Sequence, residues 1–177
     1  YIIGAQFHDA HKFGTELLQS TDEWKVKYHR SLLLCLLCVA AFGQGDTERG
    51  RILLKDFFQA PLPPADEIHH LASHFKKSGM LAQERQVLLF CREKHPGFRP
   101  VLEDLVRRDL LARNYLTLPK HVRDMLLVRR KNAPLLRQCM EALNSDIFLF
   151  LPERLELVES LGNTLRKVEF EEGLPPT

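Results

Sequence analysis

Apolar residues along this chain recur at the spacing of an α-helix rather than of a β-strand. Between Pro64 and Gly97, two apolar stripes flank the dipeptide Ser78-Gly79. Because one helical turn takes about 3.6 residues, each stripe covers one face of an amphipathic helix, and the glycine between them marks a turn. The stripes consist of Ile68, Leu71, Ala72 and Phe75, then of Leu81, Val87, Leu88, Phe90 and Cys91. The pattern predicts a helical hairpin whose apolar faces need further helices to pack against.

Capping residues and prolines mark where the other helices begin. Ser20-Thr21-Asp22-Glu23 has the form of a capping box, in which the Ser20 hydroxyl and the Glu23 carboxylate each accept from a free backbone N–H. The helix that starts there is expected to be most buried near its middle, from Leu32 to Val39, and to end at Gly43 or Gly45. The other predicted starts are Asp46, Asp66, Pro100, Asn132 with Pro134, and Pro152.

Two segments have no clear helical period. Residues 1–19 form an ambiguous N-terminal arm, and Ile147–Leu151 is strand-like in composition but lies between helical patterns, so we interpret it as a buried turn of helix. Residues 20–170 are expected to form a single α-helical domain, with 171–177 as a tail. The chain begins at Tyr1 rather than at methionine, as expected of a processed product or of a piece of a longer polypeptide.

The spacing of helix-opening prolines indicates how the helices are arranged. Pro64, Pro100 and Pro134 lie 36 and 34 residues apart, close to the period of two-helix repeats. The hairpin over residues 66–96 resembles a tetratricopeptide-type unit in its length and in its Gly79 turn followed by Ala82. That resemblance implies a solenoid with a concave surface for a protein partner. The predicted fold class is all-α, with about eight helices as antiparallel hairpins in a short irregular α-solenoid or a helical bundle.

Cysteine usage and hydropathy indicate the cellular compartment and whether the chain spans a membrane. The four cysteines, Cys35, Cys38, Cys91 and Cys139, stand among apolar residues and lack the dense spacing of a disulfide framework, so we predict reduced core residues and an intracellular chain, cytoplasmic or nuclear. The apolar run Leu32–Phe42 is shorter than the roughly 20 residues of a membrane-spanning helix. No membrane partner is expected.

Candidate metal and catalytic groups are sparse. Cys35-x-x-Cys38 has the spacing of a metal or redox pair, but leucines flank it inside a predicted helix, which favours core packing. His70 and His74 stand one helical turn apart without a further ligand motif, which favours solvent-facing histidines. Gly-x-Ser-x-Gly and phosphate-binding glycine motifs do not occur. We therefore predict no metal, no cofactor, no catalytic residue and no enzymatic activity.

Charge is distributed unevenly along the second half of the chain. Residues 99–137 contain ten Lys and Arg against four Asp and Glu, whereas residues 138–177 contain three against eight. Such a segment forms either a solvated surface, partly neutralised by the acidic last helix, or a docking face for an acidic segment of a protein or for a phosphate backbone. Tyr115 is the one aromatic residue near it, so base stacking has little support. The candidate basic patch consists of Arg107, Arg108, Lys120, Arg123, Arg129, Arg130, Lys131 and Arg137.

These observations favour a non-enzymatic protein–protein interaction module, a scaffold or adaptor in a larger intracellular assembly. The first alternative is a helical domain that binds the nucleic-acid backbone through residues 99–137. A second alternative comes from Arg107-Arg108-Asp109-Leu110, which resembles the Arg-x-Asp-Leu signature of death-effector domains. That resemblance implies a six-helix bundle that assembles through charged faces.

Overall fold

A computed structural model describes residues 23–59, 62–128, 132–145, 148 and 152–171, with the side chains from residue 33 onward, and isolated positions at 9, 12, 15 and 16. The ranges from 23 to 171 are all-α: they contain eight helices and no strand. The helices are α1 (Glu23–Gly43), α2 (Thr47–Gln59), α3 (Ala65–Lys77), α4 (Leu81–Lys94), α5 (Arg99–Leu111), α6 (Leu118–Leu127), α7 (Ala133–Leu143) and α8 (Arg154–Glu171).

The chain divides into two compact units, Tyr1–Lys94 and His95–Thr177, each with its own helix pairs. In the first unit α1 packs along α2, α3 packs along α4, and α1 also contacts α3. In the second unit α5 packs along α6 and α7 along α8, with further contacts between α6 and α8 and between α5 and α7. Consecutive helices therefore pair as hairpins within each unit, as the apolar pattern predicts.

Short turns with glycine in the left-handed conformation connect the paired helices of the first unit. Gly45 has a φ of 84° after α1, and Gly79 has a φ of 72° between α3 and α4. Asp46 caps α2, since its Oδ1 accepts from the backbone N–H of Arg49 at 3.1 Å. These turns confirm the predicted end of the first helix, the predicted start at Asp46 and the predicted Gly79 turn.

The core of the first unit forms where α1 and α3 approach their neighbours. Phe57, Leu71 and Phe75 are fully buried, and the rings of Phe42 and Phe75 meet edge to face at 5.8 Å. Gly50 lies so close to the Phe42 ring that a Cβ on it would come within 2.8 Å of ring carbons. The absence of a side chain at Gly50 thus allows α1 and α2 to pack tightly.

One contiguous core holds the second unit together. Tyr115 packs on it edge to face against the buried Phe148, with ring centroids 5.0 Å apart. The helix starts follow prediction, because Pro100 lies in the first turn of α5 and Asn132 caps α7 by accepting from Leu135 N–H at 3.2 Å. The buried members are Leu102, Val106, Leu118, Val122, Met125, Ala133, Leu135, Leu136, Cys139, Leu143, Phe148, Leu157, Leu161, Leu165 and Val168.

Some predictions fall on other parts of the chain. The capping residues Ser20 to Asp22, nearly all of the N-terminal arm, and residues 172–177 of the tail lie outside the described residues, as does Ile147–Leu151 apart from Phe148. A single domain over 20–170 stays a prediction beside the two compact units. None of the described helices is long and apolar enough to cross a membrane.

Candidate functional site

The predicted basic patch is only partly described. Arg107 and Arg108 lie on α5, Lys120 and Arg123 on α6, and Arg137 on α7. Arg129, Arg130 and Lys131 lie outside the described residues. The five described members all belong to the second unit.

Carboxylates of the same unit neutralise three of these arginines. Arg107 donates to Glu103 at 2.8 Å and to Asp104 at 3.1 Å. Arg123 pairs with Glu153, and Arg137 donates to the buried Glu169 at 2.5 Å. These pairs neutralise three of the five described members of the candidate patch.

Glu103 is the centre of the ion pairs on α5. Its Oε2 accepts from Arg107 and, at 3.2 Å, from the amide of Asn132, which joins α5 to the start of α7. Its Oε1 lies 3.0 Å from Arg99 Nε but has no hydrogen bond of good geometry, so that contact is mainly electrostatic. Glu103 therefore has a structural role between two helices, and the arginines beside it are held in place.

The turn between α5 and α6, residues 111–117, presents apolar side chains to solvent; we call it the tip. Leu111 is 85% exposed and Leu116 is 94% exposed. Between them Arg113 is exposed, with a φ of 50°, which a non-glycine residue seldom adopts. Two exposed leucines and an exposed arginine on one short turn make the tip a candidate contact surface.

A buried polar cluster fixes the tip. The Asp109 side chain is fully buried, and its Oδ2 accepts from Thr117 Oγ1 at 2.7 Å. Nδ1 of the buried His121 lies 2.6 Å from the same oxygen, a distance at which an N–H donates to a carboxylate. The backbone carbonyl of Asp109 accepts from Asn114 N–H at 2.8 Å. Asp109 thus ties the end of α5, the tip and the start of α6 together.

The first unit has a groove between α1 and α3. Its cavity of about 150 Å³ is mostly apolar and is lined by Cys35, Leu36, Asp66, Glu67, His70, Leu71 and His74; we call these residues the groove. Leu71 and Cys35 are buried at its floor, whereas Leu36 is 40% exposed and Asp66 and His70 are exposed at its rim. A cavity of this size and lining suits one apolar side chain.

Burial and neighbouring charges set the protonation state of the groove. Burial, with smaller contributions from His70 and Lys77, lowers the pKa of His74, so its imidazole is neutral at pH 7. Burial raises the pKa of the Cys35 thiol far above its usual range, and the charges of Cys38 and Glu67 add to the effect. The groove thus has a neutral Cys35 thiol and a neutral His74 imidazole beside the carboxylates of Asp66 and Glu67.

The remaining thiols are also buried, which agrees with the core positions predicted for all four cysteines. Cys38 Sγ donates to the carbonyl of Gly50 at 3.4 Å, between α1 and α2. Burial raises the pKa of Cys38 and of Cys139 to about 12, and that of Cys91 to about 11. Thiols with such pKa values are protonated at neutral pH and are poor nucleophiles and metal ligands.

The histidine pair lines the rim of the groove, and His70 is exposed, as predicted. The rings of His70 and His74 meet edge to face with centroids 6.1 Å apart, and His74 is half-buried. Among the described residues no group of three or more potential ligands is arranged to hold a metal ion. The two histidines form part of the lining of the groove.

Comparison of the chain with protein-family models, with curated proteins and with solved structures finds no match.

Sequence patterns missed the tip and the groove. The basic count identified charged residues of α5 to α7, of which Lys120 and Arg123 are exposed, but it did not single out the exposed Leu111, Arg113 and Leu116. One signal was present: leucines at 110, 111, 116 and 118 are more than the two helix ends can bury. The groove has no signal in one sequence, because it depends on how α1 and α3 pack.

Proposed function

We propose that this chain is a non-enzymatic protein–protein interaction module, a scaffold or adaptor of a larger intracellular assembly. The observation that carries the proposal is the tip, where Leu111 and Leu116 are 85% and 94% exposed on a turn that Asp109 fixes. Exposed leucines on a rigid turn bind a partner at low entropic cost, because the turn is already ordered. The four reduced, buried cysteines support an intracellular setting.

The ion pairs of the second unit favour a protein partner over nucleic acid. Binding a phosphate backbone draws its affinity from cations that displace counterions. Arg107, Arg123 and Arg137 already face carboxylates, and each would have to exchange that partner for a phosphate. An apolar tip, in contrast, gains affinity by leaving water.

The test of the proposal is affinity capture with two matched variants as bait. The tip variant is Leu111→Ser with Leu116→Ser, and the control is Leu155→Ser, a third leucine of the same unit that is 74% exposed on α8. We expect quantitative mass spectrometry to show proteins that bind the wild-type chain and the control but not the tip variant. Identical sets of bound proteins for all three baits would overturn the role of the tip.

A second candidate function is binding of the nucleic-acid backbone, which the net positive charge of residues 99–137 and the exposed Lys120 favour. The experiment replaces Arg129, Arg130 and Lys131 by glutamate and measures binding to short RNA and to duplex DNA across a salt series. A phosphate contact removed by each change flattens the log–log salt slope by about one unit. Tight nucleic-acid binding that the triple change abolishes, with protein capture unaffected, would favour this candidate over the first.

A further inference from the structure

The tip and the groove have complementary chemistry. The tip presents two leucines and an arginine, and the groove offers an apolar floor with two carboxylates at its rim. We propose that the tip of one copy of this chain binds the groove of a second copy. This inference rests on the proposed role of the tip and assigns it a partner.

Size is the first argument for this pairing. The cavity of about 150 Å³ matches an apolar cavity that holds one benzene-sized group. Leu116 is the most exposed large apolar side chain among the described residues, at 94%, and a single leucine side chain fits such a space. The buried Leu71 and the thiol of Cys35 supply an apolar floor for it.

Charge is the second argument. Asp66 and Glu67 stand in the first turn of α3, and neither carboxylate forms an ion pair within the described part of the chain. The exposed Arg113 side chain also has no carboxylate partner there. Because Arg113 lies three residues before Leu116, an inserted Leu116 brings the guanidinium to the rim of the groove. Arginine and carboxylate groups then form charge-assisted hydrogen bonds.

Rigidity is the third argument. Thr117 and Asn114 of the tip both donate to Asp109, one to the side chain and one to the backbone carbonyl. A turn held in one conformation loses little entropy on binding, which matters for a contact as small as one turn in one groove. Interfaces of that size belong to the weak, transient class, so self-association requires high local concentration.

Each copy carries one tip and one groove, so a single contact between two copies leaves one tip and one groove unused. Those two surfaces either pair with each other, which closes a two-fold symmetric dimer, or bind further copies head to tail.

The experiment measures mass against concentration by sedimentation equilibrium up to about 1 mM, the scale on which weak contacts saturate. We expect the wild-type mass to rise above that of a single chain as the concentration increases. Leu116→Ser, Arg113→Glu, and the pair Asp66→Lys with Glu67→Lys should each weaken association by about tenfold or more. The matched control is Lys120→Glu, an exposed cation outside the tip, which should leave association unchanged.

Two combinations separate a lost contact from a lost fold. A chain that carries Arg113→Glu together with Asp66→Lys and Glu67→Lys has both charges reversed, and we expect its association to be restored. A mixture of Leu116→Ser chains with Asp66→Lys, Glu67→Lys chains retains one working tip and one working groove, so it should form one-to-one pairs and nothing longer.

A wild-type chain that stays monomeric over the whole concentration range would overturn the inference, as would reversed charges that fail to restore association. Protein capture that still depends on Leu111 and Leu116 would then leave the proposed function standing with a different partner. If the tip variant loses both self-association and protein capture, the result supports the proposed function and the self-association inference together.

Discussion

Asp109 has no exposed surface, yet its side chain and carbonyl serve three groups in the tip and α6. Burying an aspartate costs free energy unless its oxygens accept hydrogen bonds. When they do, removal of the aspartate leaves each buried donor without its acceptor. The resemblance to the Arg-x-Asp-Leu signature pointed to this residue for its charge. Its observed contacts give it a structural role beneath an exposed surface.

Replacement of Asp109 by alanine should destabilise the second unit by about 3–5 kcal/mol, because His121 and Thr117 lose a buried partner. Chemical denaturation followed by circular dichroism measures the change. The control is Asp104→Ala, which removes a carboxylate paired with the partly exposed Arg107 and should cost less than about 1 kcal/mol. Similar losses for the two variants would contradict the role assigned to Asp109.

The lowered pKa of His74 makes the stability of the first unit depend on pH. In the unfolded chain a histidine titrates near about 6.5, whereas the folded state disfavours the charged imidazole of His74. The contribution of His74 is therefore fully present above about pH 6.5 and is lost as the pH falls through the lower folded-state pKa. When the pH is lowered from about 7.5 to about 5, the denaturation midpoint should fall less steeply for His74→Gln than for the wild type. Equal slopes would rule out this contribution.

At the scale of helices, local signals predicted the boundaries well. Asp46, Gly79, Pro100 and Asn132 act through their own backbone or their nearest neighbours, so their effect can be deduced from a short stretch of sequence. The packing of α1 against α2 at Gly50 is different in kind. It depends on a contact between residues of two different helices, and a local sequence pattern does not predict which residues will come into contact.

Two glycine-to-alanine changes inside helices should have opposite effects. An alanine at Gly50 places its Cβ within 2.8 Å of the Phe42 ring, and the overpacking should destabilise by about 1–3 kcal/mol. At Gly162 in α8 the nearest atom is Met140 Cε at 3.9 Å, an ordinary contact, so alanine should stabilise by about 0.5–1 kcal/mol through helix propensity. Thermal denaturation of both variants measures the difference, and a stabilising Gly50→Ala would contradict the close packing of α1 on α2.

For the whole molecule, sequence predicted the fold class and missed the surfaces. The fold class follows from the spacing of apolar residues, which is helical in nearly every segment. The all-α prediction is confirmed. A binding surface depends on which side chains remain exposed after packing, and Leu111 and Leu155 continue apolar patterns that are otherwise buried. The charge count predicted that the acidic last helix would neutralise part of the basic surface, and Glu169 of α8 does pair with Arg137. Which arginine meets which carboxylate depends on packing.

The second unit should fold without the first. Its core, from Leu102 to Val168, is made only of residues from His95–Thr177. We expect that fragment, expressed alone, to be helical by circular dichroism and to unfold cooperatively, because a continuous apolar core is sufficient for independent folding. A fragment without a cooperative transition would show that its core needs the first unit.

Because the four thiols are buried, the rate at which each one reacts measures how often the unit that contains it opens. Three cysteines belong to the first unit, and Cys139 alone belongs to the second. Since maleimides react with accessible thiolate, modification of a buried, protonated thiol has to wait until its surroundings open. The rate at which Cys139 gains mass, followed by peptide mass spectrometry, therefore measures the opening of the second unit in the unaltered chain. The labelling rate of Cys91 measures the opening of the first unit in the same way. One labelling reaction on native protein therefore gives the opening rates of both units.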